Sequence, residues 1–532
     1  MGKISLLDCT LRDGGYVNDW HFGHSNMVNI FERLISAGVD IAEVGFLDAR
    51  VPEDEDFTIQ PDTAAMNRIW ASFDKKDTMV VGMIDYGTCP IENVMPAKDC
   101  WLDGIRVIFK LEKMKEAIAF CGQIKALGYK VFAQAVSITS YDDDTLMELL
   151  ELVNALEPYA FSLVDTYGLL HKENLKHYFE LADEKLLPGI GLGYHAHNNF
   201  QLAYANCIEV LESGIERPLI VDGSLYGMGK SAGNAPSELL AMYMNQHMDK
   251  HYQISQLLEA IDTTVMEIYE RIPWGYKLKF YLSASNDCHP NYVTYLMDKQ
   301  KLSVKSINEI LGLIKPDKKL HYDQEYVEEL YQKYQAIDFD DEDSKRRLAE
   351  ILKGRKVLLL APGNHVIDQQ QRIQAYIDRE KPVVMSINFV PADYPLDFVF
   401  VSNAKRYVRL ATKLSREYKK LPTIATTNVT KTSGEFDYTF TYSSLLDEEA
   451  LIVDNPMIMI LRLFNQMEIR EVAFAGFDGY KKAATPNYVN QNMEHTFTKE
   501  KAEEINEDVR QSLKRLTCPY EIKFITDTCY TL

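Results

Sequence analysis

No apolar stretch in these 532 residues approaches the roughly 18 needed to cross a bilayer as a helix. A transmembrane helix is therefore excluded. Positive charge is scarce: 57 Lys and Arg against 78 Asp and Glu give a formal net charge of −21. A surface of that sign repels phosphate backbones and anionic lipid, so neither nucleic acid nor a membrane is an expected partner. The 8 cysteines (Cys9, Cys89, Cys100, Cys121, Cys207, Cys288, Cys518, Cys529) contain no Cys-x-x-Cys pair. In a chain this long they read as reduced thiols of a cytoplasmic protein, not as a disulfide framework or a zinc cluster. Internal repeats and low-complexity tracts are absent, and the first strand-like run begins at Ile4, leaving no room for a signal peptide. The length is too great for one core, so two or three domains are expected.

What is present begins with the run Gly-Leu-Gly-Tyr-His-Ala-His-Asn-Asn from Gly191 to Asn199. An apolar segment enters it and an amphipathic one (Leu202, Ala205, Ile208, Leu211) leaves it, as a strand leads into a helix. Side chains at i and i+2 of a strand share a face, so His195 and His197 can address one ion. Taken alone, two unrelated histidines in a polar turn is an equal reading. A second signature runs from Leu7 to Gly15, Leu-Asp-Cys-Thr-Leu-Arg-Asp-Gly-Gly. Arg12 and Asp13 there have the ordinary use of a salt bridge or a solvated turn. Asp13 is also the hard anionic ligand that two histidines lack, and Arg12 is a permanent cation suited to an oxyanion. A third segment, Gly227-Met228-Gly229-Lys230-Ser231-Ala232-Gly233-Asn234-Ala235-Pro236, is a glycine-rich turn able to aim backbone amides at an anion. It equally suits a loop before a Pro-opened helix.

Strand-like runs recur at Ile4–Leu7, Ile41–Phe46, Met79–Ile84, Ile105–Phe109, Val131–Val136, Phe161–Val164, Ile190–Tyr194 and Leu219–Val221. Helix-like segments alternate with them, for example Ser25–Ala37, Met114–Leu127, Asp143–Leu156 and Glu173–Lys185. Alternation implies parallel strands with crossover helices, and about eight units in roughly 245 residues match a (β/α)₈ TIM barrel. Every motif above falls at the C-terminal end of a strand, where such barrels place catalysis.

These motifs, with Ala42-Glu43-Val44-Gly45 and Asp165-Thr166-Tyr167-Gly168, resemble the divalent-metal pyruvate aldolases and acyl lyases, the DRE-TIM metallolyases. That group holds 4-hydroxy-2-oxovalerate aldolase, 3-hydroxy-3-methylglutaryl-CoA lyase and isopropylmalate synthase. The Gly-Met-Gly…Gly-Asn-Ala-Pro form is most similar to the 4-hydroxy-2-oxovalerate aldolases, over roughly residues 1 to 315. The resemblance implies a TIM barrel and a divalent ion, Mn²⁺ first, with Mg²⁺, Co²⁺ or Zn²⁺ as alternatives. It implies Asp13, His195 and His197 as ligands. Asn234 is either a fourth ligand or a helix cap. Arg12 would stabilise an enolate, Glu43 would orient Arg12, and Thr166 and Gly229 would face substrate. Asp165 would face substrate or support the site from behind, helix N-capping being its ordinary use.

The general base departs from that pattern. The aldolases carry a histidine four residues after the arginine, where this chain has Tyr16. A tyrosine with a pKa near 10 is a poor base but a serviceable proton shuttle. His21, His24 and His289 are alternative imidazoles. The expected activity is metal-dependent aldol cleavage or formation of a 4-hydroxy-2-oxo acid, giving pyruvate and an aldehyde. The alternatives are a Claisen-type synthase joining an acyl-CoA to a 2-oxo acid, and a non-catalytic barrel serving the rest of the chain. A homo-oligomer is expected, and an aldehyde-processing enzyme is the partner the resemblance suggests.

Beyond the barrel (1–250) the sequence predicts a helical extension and charged linker (251–354) and a Rossmann-like α/β domain (355–532). The linker ends in the charged run 338–347. Strand-like runs of the last domain are Lys356–Ala361, Pro382–Ile387, Asp397–Val401, Thr423–Ala425, Glu471–Ala475 and Glu521–Ile525. The turn Pro362-Gly363-Asn364 can seat a phosphate on backbone amides. With Gly476-Phe477-Asp478-Gly479-Tyr480 it faintly resembles the nucleotide-binding domains of some bacterial sialyltransferases and pterin diphosphokinases. An ordinary βα turn is the commoner reading.

Overall fold

The computed structural model describes all residues except 1–2, 300, 337–338, 430, 432–434, 470, 483–486, 490–500, 517–520 and 531–532. Cys518 and Asp338 lie outside the described residues. The chain divides into two compact units, Met1–Pro290 and Asn291–Leu532. Helices between 251 and 354 are shared out between them: Ile254–Ala260 and Met266–Arg271 belong to the first unit, and Val304–Gly312, Gln324–Gln335 and Glu342–Leu352 to the second. Among the described residues no helix is long and apolar enough to cross a membrane. The seven described cysteines form no disulfide with one another.

The first unit is a closed barrel of eight parallel strands. They are β1 (Ile4–Asp8), β2 (Ile41–Leu47), β3 (Met79–Asp85), β4 (Gly104–Phe109), β5 (Lys130–Ala135), β6 (Ala160–Asp165), β7 (Gly191–Ala196) and β8 (Leu219–Gly223). Closure is direct, since β1 pairs with β2 at Leu7 and Ile41 and with β8 from Ile4 and Leu219 onward. The strands are buried, one face against the barrel interior and one against the helical ring, so their sequences are mainly apolar, with the few charged and polar residues turned into the interior. All eight predicted strands are present. A two-residue strand, Ile59–Gln60, pairs beside β2 and was too short to show as a periodic pattern. The helices form where apolar residues recur at i, i+3, i+4 and i+7: His24–Ala37 buries Met27, Ile30, Phe31, Leu34 and Ile35 and stops at Gly38 in the left-handed region.

The second unit carries an all-parallel seven-stranded sheet. Its strands are β9 (Val357–Leu360), β10 (Val383–Ile387), β11 (Phe398–Val401), β12 (Thr423–Thr426), β13 (Tyr438–Phe440), β14 (Glu471–Ala475) and β15 (Glu521–Phe524). Their order is β13-β12-β11-β10-β9-β14-β15, so the winding reverses between β9 and β14. The predicted doubly wound sheet is there, with β13 as an additional strand. At the reversal the turns after β9 and β14 interlock. The Gly363 amide donates to the Gly476 carbonyl (2.9 Å), and a Cβ on Gly363 would lie 2.3 Å from that oxygen. Of the two readings of Pro362-Gly363-Asn364, the ordinary βα turn fits and the phosphate seat does not. The Gly363 amide is already bonded, and the His365 amide donates to Asp478 Oδ2 (2.9 Å), so a carboxylate of the chain itself occupies the anion's place.

Candidate metal centre

At the C-terminal mouth of the barrel, Asp13, His195 and His197 come together from the turn after β1 and from the end of β7. Their ligand atoms all lie within 4.8 Å of one another, and all three residues are buried. Strand alternation explains the pair of imidazoles. His195 points inward with His197 two residues on, their ring centroids 5.0 Å apart. Tyr194, the residue before His195, points the other way toward the helices, where its ring meets Phe179.

The protonation states suit a cation. Burial drives the His197 imidazole down to about 3, and Lys230 and Arg12 add to that against the pull of Asp13, so the ring is neutral. Burial works to raise Asp13, but Arg12, His197 and His195 outweigh it and hold the carboxyl well below the usual carboxylate range. The ring nitrogen His195 Nδ1 lies 2.9 Å from Asp222 Oδ2. Asp222 is held ionised, because Arg106 and His195 overcome the effect of its burial. A carboxylate can only accept, so Nδ1 carries the proton and Nε2 keeps its lone pair for a ligand.

The donor set fits a divalent ion. His197 Nδ1 and Asn234 Oδ1 are buried polar atoms with no hydrogen-bond partner. His197 Nδ1 faces Asp13 Oδ2 across 3.9 Å, and donors about 2.1 Å from a shared ion sit ~3–4 Å from one another. Asn234 does not cap the following helix, Ser237–His247, whose N-cap is Pro236. It instead donates Nδ2 to Asp13 Oδ2 (2.8 Å) and leaves its oxygen available as a fourth donor. A bridge between His197 and Asn234 ties the glycine-rich loop across the end of β7. Gly229 leaves the room this requires: a Cβ there would lie 2.4 Å from Asn234 Nδ2 and 2.6 Å from Asp13 Oδ2.

Arg12 is buried beside this cluster. Its Nη1 contacts Asp13 Oδ1 (2.5 Å) and its Nε donates to Glu43 Oε2 (2.7 Å), the pairing expected of Glu43. Burial opposes its charge, but Glu43 and Asp13 overcome that and keep the guanidinium protonated at any relevant pH. Glu43 also faces Arg106 (3.0 Å), and Arg106 in turn binds Asp222. One buried chain thus links Asp13, Arg12, Glu43, Arg106, Asp222 and His195.

A cavity of about 370 Å³ opens on these groups, and its lining includes Tyr16, Gln134, Thr166 and Lys230 beside Arg12, Asp13 and the two histidines. Partial burial, with Asp13 nearby, pushes the Tyr16 phenol up to about 12, so it is a proton donor and not a base. The Lys230 ammonium lies 5.2 Å from the Tyr16 ring centroid. Three anticipated residues do other work. His21 is exposed and stacks on Phe57 (4.7 Å). Asp165 is spent on the Leu169 and Leu170 amides (2.8 and 3.0 Å), pinning the turn after β6. Gly229 acts through the space it leaves for the ligands. Neither His24 nor His289 is among the cavity's lining residues. Sequence reasoning passed over Arg106, Asp222 and Lys230. The signal for the first was available, because an arginine inside the apolar run of β4 requires a buried partner.

Residues 3–264 match the HMGL-like family model. The barrel is an HMGL-like domain. Among curated proteins, 4-hydroxy-2-oxovalerate aldolase 2 of Salinispora arenicola is 25% identical to the HMGL-like half, over 51% of this chain and 77% of its own. An oxaloacetate decarboxylase of Mycobacterium tuberculosis is 24% identical over 51% of this chain and 78% of its own. Among solved structures, an N-terminal domain from Bacteroides vulgatus is 24% identical, with a TM-score of 0.48, covering 57% of this chain and 99% of that one.

Proposed function

We propose that the HMGL-like barrel is a divalent-metal-dependent carbon–carbon lyase that cleaves or forms a 4-hydroxy-2-oxo acid, with pyruvate and an aldehyde as the other side of the reaction. The observation that carries this reading is the convergence of Asp13, His195 and His197 beside a buried, fully ionised Arg12. Asp13, His195, His197 and Asn234 would hold the ion. Two imidazoles, a carboxylate and an amide suit Mn²⁺ first, then Co²⁺, Zn²⁺ or Mg²⁺. When bound, the cation supplies Lewis acidity toward the oxygens of a 2-oxo acid.

The chain's own residues account for the remainder. Breaking the C3–C4 bond leaves the electron pair on the pyruvate half as an enolate. Arg12, clamped by Glu43, presents a fixed cation to the C2 oxygen on which that charge gathers. The substrate enters as an anion, and Lys230 adds a second positive charge to the cavity wall. The 4-hydroxyl must lose a proton and C3 must gain one. Among the described lining residues no histidine remains besides the two ligands. Burial pulls the Lys230 ammonium down, so its amine form, reached by losing a proton to solvent, takes the 4-hydroxyl proton and afterwards restores the one that Tyr16 gives to C3. The protonated Tyr16 phenol is the donor. Loss of carbon dioxide from oxaloacetate also leaves a pyruvate enolate, so the similarity to both an aldolase and a decarboxylase supports a site built around that anion.

The test is blind to the aldehyde. Pyruvate incubated in D₂O with the protein and Mn²⁺ should exchange its methyl protons, read by NMR. Exchange should vanish with a chelator and fall sharply in Arg12→Lys. If pyruvate shows no metal-dependent exchange while acetyl-CoA releases thiol in the presence of a 2-oxo acid, the Claisen-type synthase replaces this reading.

A further inference from the structure

The helix Ala404–Arg416 of the second unit carries Lys405, Arg406, Arg409, Lys413 and Arg416 among its 13 residues, and no acid. In a chain of net charge −21 that concentration is not what composition provides. Arg406, Arg409 and Lys413 recur at i, i+3 and i+7 and so share one face. That face lines a cavity of about 1100 Å³ with Asn388, Phe389 and Val390, the residues that follow β10. Arg406 also lines a second cavity, of about 1010 Å³, over the point where the winding of the sheet reverses. In doubly wound sheets ligands bind in the crevice outside the strands' carboxyl ends at such a reversal.

The two cavities differ in chemistry. The first is lined by Arg406, Arg409 and Lys413 with one acid, Asp393, and is cationic on balance. In the second, Lys299 and Lys301 are paired with Glu328 and Asp454, and the walls include Phe477, Tyr480, Tyr488 and Tyr530. Arg406 lies over the Tyr488 ring, 5.4 Å from its centroid, where the two cavities adjoin. Asp478, only 8% exposed, lines the aromatic cavity. Its Oδ2 is held by the His365 amide. Its Oδ1 accepts no hydrogen bond, the His365 ring lying 3.3 Å away without the geometry of one. A buried carboxylate oxygen left in that state calls for a donor from a ligand.

We infer that the second unit binds a nucleoside diphosphate, its phosphates on the Arg406–Arg409–Lys413 face and its ring and sugar hydroxyls in the tyrosine-walled cavity against Asp478. A polyanion joined to a flat, hydroxylated group is the ligand that meets a cation row, aromatic walls and an unpartnered acceptor together. Asp478 excludes the phosphates from the turn after β9 and so sends them toward the helix.

Calorimetric titration of the full chain with ADP, GDP, CDP and UDP, and separately with inorganic pyrophosphate, tests this. At least one nucleoside diphosphate should bind at sub-millimolar concentration. The double variant Arg409→Gln/Lys413→Gln, which changes one exposed and one half-buried cation, should weaken that nucleotide and pyrophosphate about tenfold or more, as expected for lost charge-assisted contacts. Asp478→Asn should weaken the nucleotide and leave pyrophosphate unchanged. Absence of binding by all four nucleotides at millimolar concentration overturns the inference, as does binding that the double variant does not affect. Pyrophosphate binding as tight as any nucleotide's would overturn the assignment of the aromatic cavity. Divalent-metal uptake by the barrel, measured on the same variants, separates these outcomes from failure of the lyase reading.

Discussion

Replacing Asp222 with asparagine separates the two tasks that its buried carboxylate performs. One oxygen is shared between His195 Nδ1 at 2.9 Å and the Arg106 guanidinium. Removing the charge behind a metal-binding imidazole costs 10–100-fold in metal affinity, or about 1.4–2.7 kcal/mol. Arg106 simultaneously loses one of its two carboxylates and keeps Glu43 at 3.0 Å. Outright loss of a buried partner costs ~3–5 kcal/mol; with Glu43 retained and the amide oxygen still accepting, ~2 kcal/mol is expected, or about 4 °C in melting temperature for a unit of this size. The folded pKa of Asp222 is depressed, so its stabilisation is present above the unfolded carboxyl value near 3.9 and is fully expressed at neutral pH. Competition with a chromophoric chelator for Mn²⁺ or Zn²⁺, together with melting of the metal-free protein, reads both effects. Metal affinity within twofold of the parent, alongside a lowered melting temperature, would reduce Asp222 to a counter-ion for Arg106 and refute its role in orienting His195.

Arg12→Lys should retain the metal and lose about 10²–10³-fold in turnover, since a lysine cannot reproduce the fork held by Glu43; an unchanged rate would remove Arg12 from the chemistry. Elemental analysis should find a divalent ion in the parent and none in His195→Ala or His197→Ala, and an equal metal content in either would break the proposed ligand set. Gly229→Ala should fold, because its backbone is not in the left-handed region, yet bind metal weakly, because the added methyl meets Asn234 and Asp13. The folded pKa of His197 is about 3 against 6.5 when unfolded. Its neutral form therefore stabilises the metal-free barrel above pH 6.5, and that stability is lost at up to ~1.4 kcal/mol per pH unit as pH falls from 6.5 toward 3. Melting curves across that range should show a shallower decline in His197→Gln than in the parent, and identical declines would count against a buried neutral imidazole.

Much of this architecture is written locally. Strands buried on both faces, such as β6 and β7, must be mainly apolar, so all eight barrel strands were legible as runs. Two-residue periodicity placed His195 and His197 together, and adjacency placed Arg12 beside Asp13. The second sheet was legible for the same reason, apart from β13, whose three residues are too few to show a period. Asp165 misled because an aspartate that ends a strand looks the same whether it faces a ligand or pins its own turn, as it does through Leu169 and Leu170.

Closure of the barrel decided the rest. Arg106 and Asp222 are 116 residues apart and lie in unremarkable apolar strands, yet they meet because parallel strands on opposite sides of one ring point their inward side chains at a common axis. The same closure sets Lys230 over Tyr16 and leaves His21 outside. In the second unit, the order of strands set Asp478 against the turn after β9, which no local pattern records. Sequence determines which residues must be inside, because burial is a property of each segment's composition. Which buried charge answers which depends on distances across the fold, and only the packed chain fixes those.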